Sequence, residues 1–121
     1  MNTNMNTTQS KGPDEKDDLA DIWEVLGRRW TLLILKNFCT KEVFRFNELK
    51  RAVPGISSTV LAERLLELER TGIVSKKIYP EIPPKVEYSM TTQAKELESI
   101  FKELGSWARR WKRQQVRKAI A

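Results

Sequence analysis

The 121-residue chain contains no histidine and a single cysteine, Cys39. Without histidine there is no Ser-His-Asp or Cys-His centre, no imidazole base, and no zinc site of the ordinary Cys/His type. A lone cysteine excludes an intramolecular disulfide. Carboxylates remain as a source of acid–base chemistry, but Glu67, Glu69 and similar acids fall on charged helix faces, which favours solvation. An enzyme is therefore not expected, and neither cofactor nor metal site is legible. The longest apolar run, Leu32-Leu33-Ile34-Leu35, is far too short to span a bilayer. The N-terminus lacks the basic-then-apolar order of a secretory signal. A cytoplasmic protein with no membrane partner is expected. The length suits one domain with a modest core.

Charge is unevenly placed. Residues 1–26 hold two lysines and six acids, a balance of −4, so the other 20 basic and 10 acidic groups give residues 27–121 a balance of +10. A basic body invites a polyanion, because each neutralised phosphate releases counterions. A surface tuned only for solubility has the same composition, so the decision falls to the motifs.

Met1 to about Lys16 is rich in Asn, Thr, Gln and Ser without apolar periodicity and reads as a disordered tail, with one domain over 17–118. Asp17 and Asp18 suit a helix start. From Asp18 to about Phe38, Leu19, Ile22, Trp23, Leu26, Trp30, Leu33 and Ile34 keep three-four spacing, with Leu32 and Leu35 off that stripe. Gly27-Arg28-Arg29 is expected to interrupt this helix, with a second starting near Arg29 or Trp30.

The stretch from Arg45 to Thr71 organises the rest. Phe46, Leu49, Ala52 and Val53 mark the apolar face of a short helix, and Pro54-Gly55 breaks it. Ser57, Ser58 and Thr59 follow, whose side chains can bond the free amides of a new helix. Leu61, Leu65 and Leu68 then form a stripe, and Gly72 stands where a left-handed cap belongs. This is helix-turn-helix spacing, in which the second helix enters the major groove. Ile73 to Tyr79 and Val86 to Thr91 read as strands, separated by a proline-rich loop from Pro80 to Lys85. A hairpin directly after a recognition helix is a wing. The predicted fold is mainly α with this small β-hairpin, and Cys39 to Phe44 supplies a short extended piece able to pair with it. A last helix, capped by Thr91 or Thr92, is expected to run to about Lys118.

The ordered set of residues is specific. Gly27-Arg28-Arg29-Trp30-Thr31, Arg45-Phe46-Asn47-Glu48-Leu49, Gly55-Ile56-Ser57, Leu61-Ala62-Glu63-Arg64-Leu65 and Leu68-Glu69-Arg70-Thr71-Gly72 are followed by Tyr79-Pro80, Pro83-Pro84-Lys85-Val86-Glu87-Tyr88 and Trp107. From about Asp18 to Trp111 the chain resembles the HxlR-type family, winged-helix transcription regulators of bacteria and archaea. The resemblance implies a homodimer built from the first and last helices. The apolar residues placed for that role are Leu19, Ile22, Trp23 and Leu26, with Leu97, Ile100, Phe101, Leu104, Trp107, Ala108 and Trp111 on the last helix. Packing of that last stripe on the first helix of the same chain is the alternative. A small cavity at the dimer interface near Trp23, Trp30, Trp107 and Trp111 is a further expectation, resting on their apolar bulk.

The expected partner is double-stranded DNA, read by a sequence-specific regulator of transcription. On the recognition helix Ser57, Ser58, Thr59, Ala62, Glu63 and Arg64 are the candidates. Hydroxyls donate or accept, Ala62 meets a thymine methyl, and Arg64 bonds guanine or phosphate. Glu63 can accept from cytosine or pair with Arg64 or Arg51. Arg45 precedes the first motif helix, where a phosphate docks on free amides. Lys76, Lys77 and Lys85 flank the wing, and alternation puts the first two on opposite faces. Those lysines equally suit protection of a hairpin edge. After Trp107 the chain is basic, from Arg109 to Lys118, which complements the helix dipole or meets flanking phosphates. Some family members sense oxidants through a cysteine near the start of the first helix. Here Asp17 and Asp18 occupy that region, and Cys39 at the end of an apolar helix reads as an inert thiol. The competing reading is a winged helix used as a protein-interaction or RNA-associated module without an operator. Glu63 and Glu67 keep it open.

Overall fold

The break expected near Gly27-Arg28-Arg29 falls at residues 28–30 of the computed structural model, which describes residues 22–120. Residues 22–27 form helix α1. Two turn-type bonds follow, Arg28 N–H to the Val25 carbonyl at 3.3 Å and Thr31 N–H to the Arg28 carbonyl at 3.2 Å. Trp30 stands at φ 83, a left-handed conformation uncommon for a bulky side chain. Helix α2, Thr31–Asn37, then starts in a new phase. Thr31, Ile34 and Leu35 are buried, with Leu35 at 0% exposure, whereas Leu33 is 44% exposed. The sequence expectation ran one stripe with Leu33 and Ile34 across the break, left Leu32 and Leu35 off it, and so expected burial on more than one side. In the structure Leu35 joins the core and Leu32 and Leu33 stay exposed. Leu19, the acidic start at Asp17 and Asp18, and the N-terminal tail lie outside the described residues.

The remaining elements follow the predicted order. Strand β1, Val43–Phe44, leads to helices α3, Phe46–Ala52, and α4, Ser58–Arg70. Strands β2, Val74–Tyr79, and β3, Lys85–Met90, make the hairpin. A 3-10 turn over Gln93–Glu96 precedes α5, Leu97–Ile120. The Thr91 hydroxyl accepts from the Ala94 amide at 3.2 Å, which makes Thr91 the side chain that starts this segment. The sheet is antiparallel in the order β1-β3-β2. Its register pairs Phe44 with Tyr88, Val74 with Met90 and Tyr79 with Lys85. The extended piece before α3 is thus the third strand.

One face of that sheet carries Phe44, Val74, Tyr88 and Met90, all buried against the helices. Leu61, Leu65 and Leu68 of α4, Leu49 of α3 and Val53 just after it pack into the same cluster. Burial of each such side chain contributes about 1.5–3 kcal/mol, and none of it depends on a partner. Ala52, expected on the apolar face of α3, is exposed, because the helix ends there and Val53 turns inward.

Candidate nucleic-acid interface

The turn between α3 and α4 is made by residues that only this geometry requires. Gly55 sits at φ +92, and a Cβ there would lie 3.4 Å from the Trp30 ring. Ser57, extended at the start of α4, accepts the Val60 amide on its hydroxyl at 3.1 Å. Its oxygen therefore satisfies a helix end first and faces a ligand second. Because Leu61, Leu65 and Leu68 are drawn into the core, the opposite face is left to Ser58, Thr59, Ala62 and Glu63, all exposed. Leu66, which sequence reasoning missed, is also exposed and lies one turn beyond Ala62. Its i+4 spacing from Ala62 is the signal that marks it.

Arg64 is the member of the expected set that does not join this face. Its side chain is only 15% exposed, and its Nε donates to the Arg29 carbonyl at 2.9 Å. Its guanidinium also lies 3.6 Å from Glu67, which Arg28 approaches at 3.3 Å. In this arrangement the guanidinium is engaged at the bend between α1 and α2. Glu67 is correspondingly turned to its two arginines and away from the outer face.

Arg45, exposed, forms the N-cap of α3. Its amide donates to Glu48 Oε1 at 2.7 Å, and Lys41 Nζ lies 3.0 Å from Glu48 Oε2. The amide bond first, and Lys41 next, hold the Glu48 carboxyl below the usual carboxylate range. One of the free amides expected to receive a phosphate is thus already bonded, leaving the Arg45 side chain as the cation at this corner.

In the wing, register decides which lysines act together. Lys77 pairs across with Glu87 and Tyr79 with Lys85, on one face. Lys77 and Lys85 lie 4.9 and 4.7 Å from the Tyr79 ring centroid, within cation–π range. The Tyr79 hydroxyl donates to Glu87 at 2.9 Å, and Lys85 reaches the same carboxylate at 3.4 Å. The tyrosine bond is the main cause that lowers the Glu87 pKa. Lys76 pairs across with Tyr88 and belongs to the opposite face. Tyr79 as organiser of two lysines was missed in the sequence, although its cross-strand place beside Lys85 follows once the register is known.

On α5, Leu97 and Phe101 pack against the chain's own core, as does Leu26 of α1. Ile100, Leu104, Trp107 and Trp111 stay about half exposed, as do Ile22 and, more so, Trp23. Ala108 is exposed as well. Trp107 and Trp111 stack at 6.1 Å, and a Cβ at Gly55 would lie 3.4 Å from the Trp30 ring. The basic side chains from Arg109 to Lys118 are exposed. No helix among the described residues is long and apolar enough to cross a membrane.

Two short helices across a glycine turn, closed by a three-stranded sheet with a projecting hairpin, define a winged helix-turn-helix. The family profile described as HxlR-like helix-turn-helix matches residues 25–116. This chain belongs to that family. It is 40% identical over 88 residues to the uncharacterized HTH-type transcriptional regulator YvaP of Bacillus subtilis, covering 73% of this chain and 81% of that protein. Among solved structures it is similar to the reduced form of the transcriptional regulator YodB from B. subtilis, with 36% identity and a TM-score of 0.63, covering 80% and 90% of the two chains. The reduced form of the redox regulator HypR matches with 36% identity and a TM-score of 0.66, covering 75% and 89%.

Proposed function

We propose that this chain is a DNA-binding regulator of transcription that acts as a homodimer on promoter DNA. The observation that carries the reading is the exposed row Ser58, Thr59, Ala62 and Glu63 on α4, backed by a leucine stripe that fixes the helix in the core. Early residues of such a helix approach base edges in the major groove. Arg45 and the wing lysines Lys77 and Lys85 supply cations for the phosphates on either side, and such contacts set register while base contacts set sequence. Lys76 extends the same positive field from the other face of the hairpin. The similar proteins YvaP and YodB, both named transcriptional regulators, support this assignment.

Dimerisation is supported by the apolar side chains left over. Ile100, Leu104, Trp107 and Trp111 run along one side of α5, and Ile22 and Trp23 stand on α1. A monomer gains nothing from leaving two tryptophans of one helix in water, and contiguous apolar area of this kind marks an interface. In the homodimer Ala108 and Gly105 of α5 lie at the closest approach of the two helices. Two recognition helices then meet half-sites about 10 bp, or a multiple, apart. The protein works in the cytoplasm, where its DNA is.

Selection of bound duplexes from a random library at about physiological salt tests the reading. Enrichment of an inverted repeat is the expected outcome, with specific affinity of roughly 10⁻⁸ M or tighter. Retention without enrichment would contradict it and favour a winged helix that recognises protein or RNA.

A further inference from the structure

Past Gly105, α5 carries Arg109, Arg110, Lys112, Arg113, Arg117 and Lys118, and no acid follows Glu103 in the chain. All of these cations are exposed. Arg110 donates to the Ser106 hydroxyl at 2.9 Å, and none of them makes an ion pair with another described residue. Arg109, Arg113 and Arg117 stand four residues apart, a spacing at which like charges on a helix repel. At 3.6 residues per turn their row is turned away from Trp107 and Trp111. Such a row is stabilised by an anionic neighbour.

The chain contains a segment of matching chemistry. Residues 1–26 have a balance of −4, and Asp14, Asp17, Asp21 and Glu24 recur at spacings of three and four. Glu24 lies on α1, 69% exposed, with Arg28 at 3.7 Å. The three aspartates lie outside the described residues. In sequence, Asp14 to Asp21 is seven steps and Arg109 to Arg117 is eight, so the two rows are of similar length as well as opposite charge.

The rows stand at opposite ends of α5. Val25 and Leu26 of α1 pack with Ala94, Leu97 and Phe101, around the start of that helix. Two copies bring the rows together. If the α5 helices packed in parallel through Ile100, Leu104, Trp107 and Trp111, their basic halves would lie side by side, and juxtaposed like charges are costly. In an antiparallel pair, related by a two-fold axis, each basic half runs past the start of the other α5, where the acidic stretch of that copy leads into α1.

We propose that the acidic stretch 14–24 of each copy docks on the row Arg109, Arg113 and Arg117 of a second copy, across an antiparallel pair of α5 helices. The inference rests on the homodimer proposed above and deepens it. The apolar stripe supplies the contact, and the two charged clasps set the direction of pairing and its dependence on salt.

Sedimentation equilibrium of the full-length chain without DNA tests this with two charge-reversed variants. One is Asp14→Lys/Asp17→Lys/Asp21→Lys, and the other is Arg109→Glu/Arg113→Glu/Arg117→Glu, whose positions lie outside the core cluster. Each should weaken self-association by about tenfold or more, since several exposed ion pairs become repulsions. An equimolar mixture of the two should associate about tenfold more tightly than either alone. Its heterodimer keeps one native clasp and has the other with both charges exchanged, and recovery also shows that both variants are folded. Self-association unchanged in either variant, or weakened without recovery in the mixture, would overturn the proposal and leave the homodimer standing. An unmodified chain that stays monomeric would overturn both.

Discussion

Arg64, on the recognition helix, donates from Nε to the backbone carbonyl of Arg29 at 2.9 Å, joining α4 to the bend between α1 and α2. Glu67 adds a second tie, with Arg28 at 3.3 Å and Arg64 at 3.6 Å. The recognition helix is therefore tied to the bend that follows α1. Arg64→Ala should lower unfolding free energy by about 1–2 kcal/mol, since it removes a charge-assisted bond to a carbonyl. The salt dependence of DNA binding should hardly change, whereas loss of a phosphate-contacting lysine reduces the slope by about one. Urea unfolding and binding titrations at several salt concentrations check both halves.

Ser57 makes a second, simpler case. Its hydroxyl caps α4 through the Val60 amide, so Ser57→Ala should cost about 1 kcal/mol of stability, and Ser57→Asp much less. Thermal unfolding of the two variants distinguishes a cap from a residue that only faces DNA.

Gly55 and Gly27 should respond in opposite directions to the same replacement. At Gly55 an alanine meets both φ +92 and the Trp30 ring, and the left-handed backbone alone costs roughly 1–2 kcal/mol. At Gly27, helical and with nothing within 4 Å of a new Cβ, alanine should be neutral or stabilise by up to about 1 kcal/mol. Chemical unfolding of the pair reads the difference directly.

Acid sensitivity should pass through Glu48. Its folded pKa is depressed, first by the Arg45 amide and then by Lys41. Its contribution is therefore complete above the ordinary carboxylate range and is lost as pH falls through the folded value. Glu48→Gln, which retains an acceptor for the amide, should flatten the acid limb of a stability–pH curve. An unchanged limb would mean that the capping carboxylate does not govern it.

Cys39 is half buried at the end of α2. Burial raises its thiol pKa, Glu98 adds to the rise, and Lys102 opposes it. Thiolate is therefore scarce at neutral pH, and the thiolate is the reactive form. Alkylation should be slow, and Cys39→Ser should leave the response of DNA binding to diamide unchanged. Faster alkylation than a free thiol, or loss of a diamide response in the variant, would contradict this.

What was legible in the sequence was local. The stripe Leu61, Leu65 and Leu68, the Ser57 cap and Gly72 specify α4 within one window, and the prolines after Tyr79 mark the hairpin without help from the rest of the chain. Phase was lost where the backbone did something that side-chain patterning does not encode. Trp30 in the left-handed region rotated the helix that follows, exchanging the places expected of Leu33 and Leu35. The bond from Arg64 to the Arg29 carbonyl was not legible because its partner lies 35 residues away in sequence, beyond the reach of periodicity. The pairing of Lys77 and Lys85 through Tyr79 depended on register, which a six-residue proline-rich connection leaves open.

A hydroxyl-radical footprint of the full chain on its selected duplex asks directly whether a dimer reads DNA through α4. Two protected stretches are expected on one face of the DNA, centred about one helical turn or a multiple apart. Both should be lost in Thr59→Ala/Ala62→Asp at a protein concentration where folding is unaffected. A single diffuse protection, or a footprint that survives those changes on α4, would contradict a dimer reading DNA through this helix.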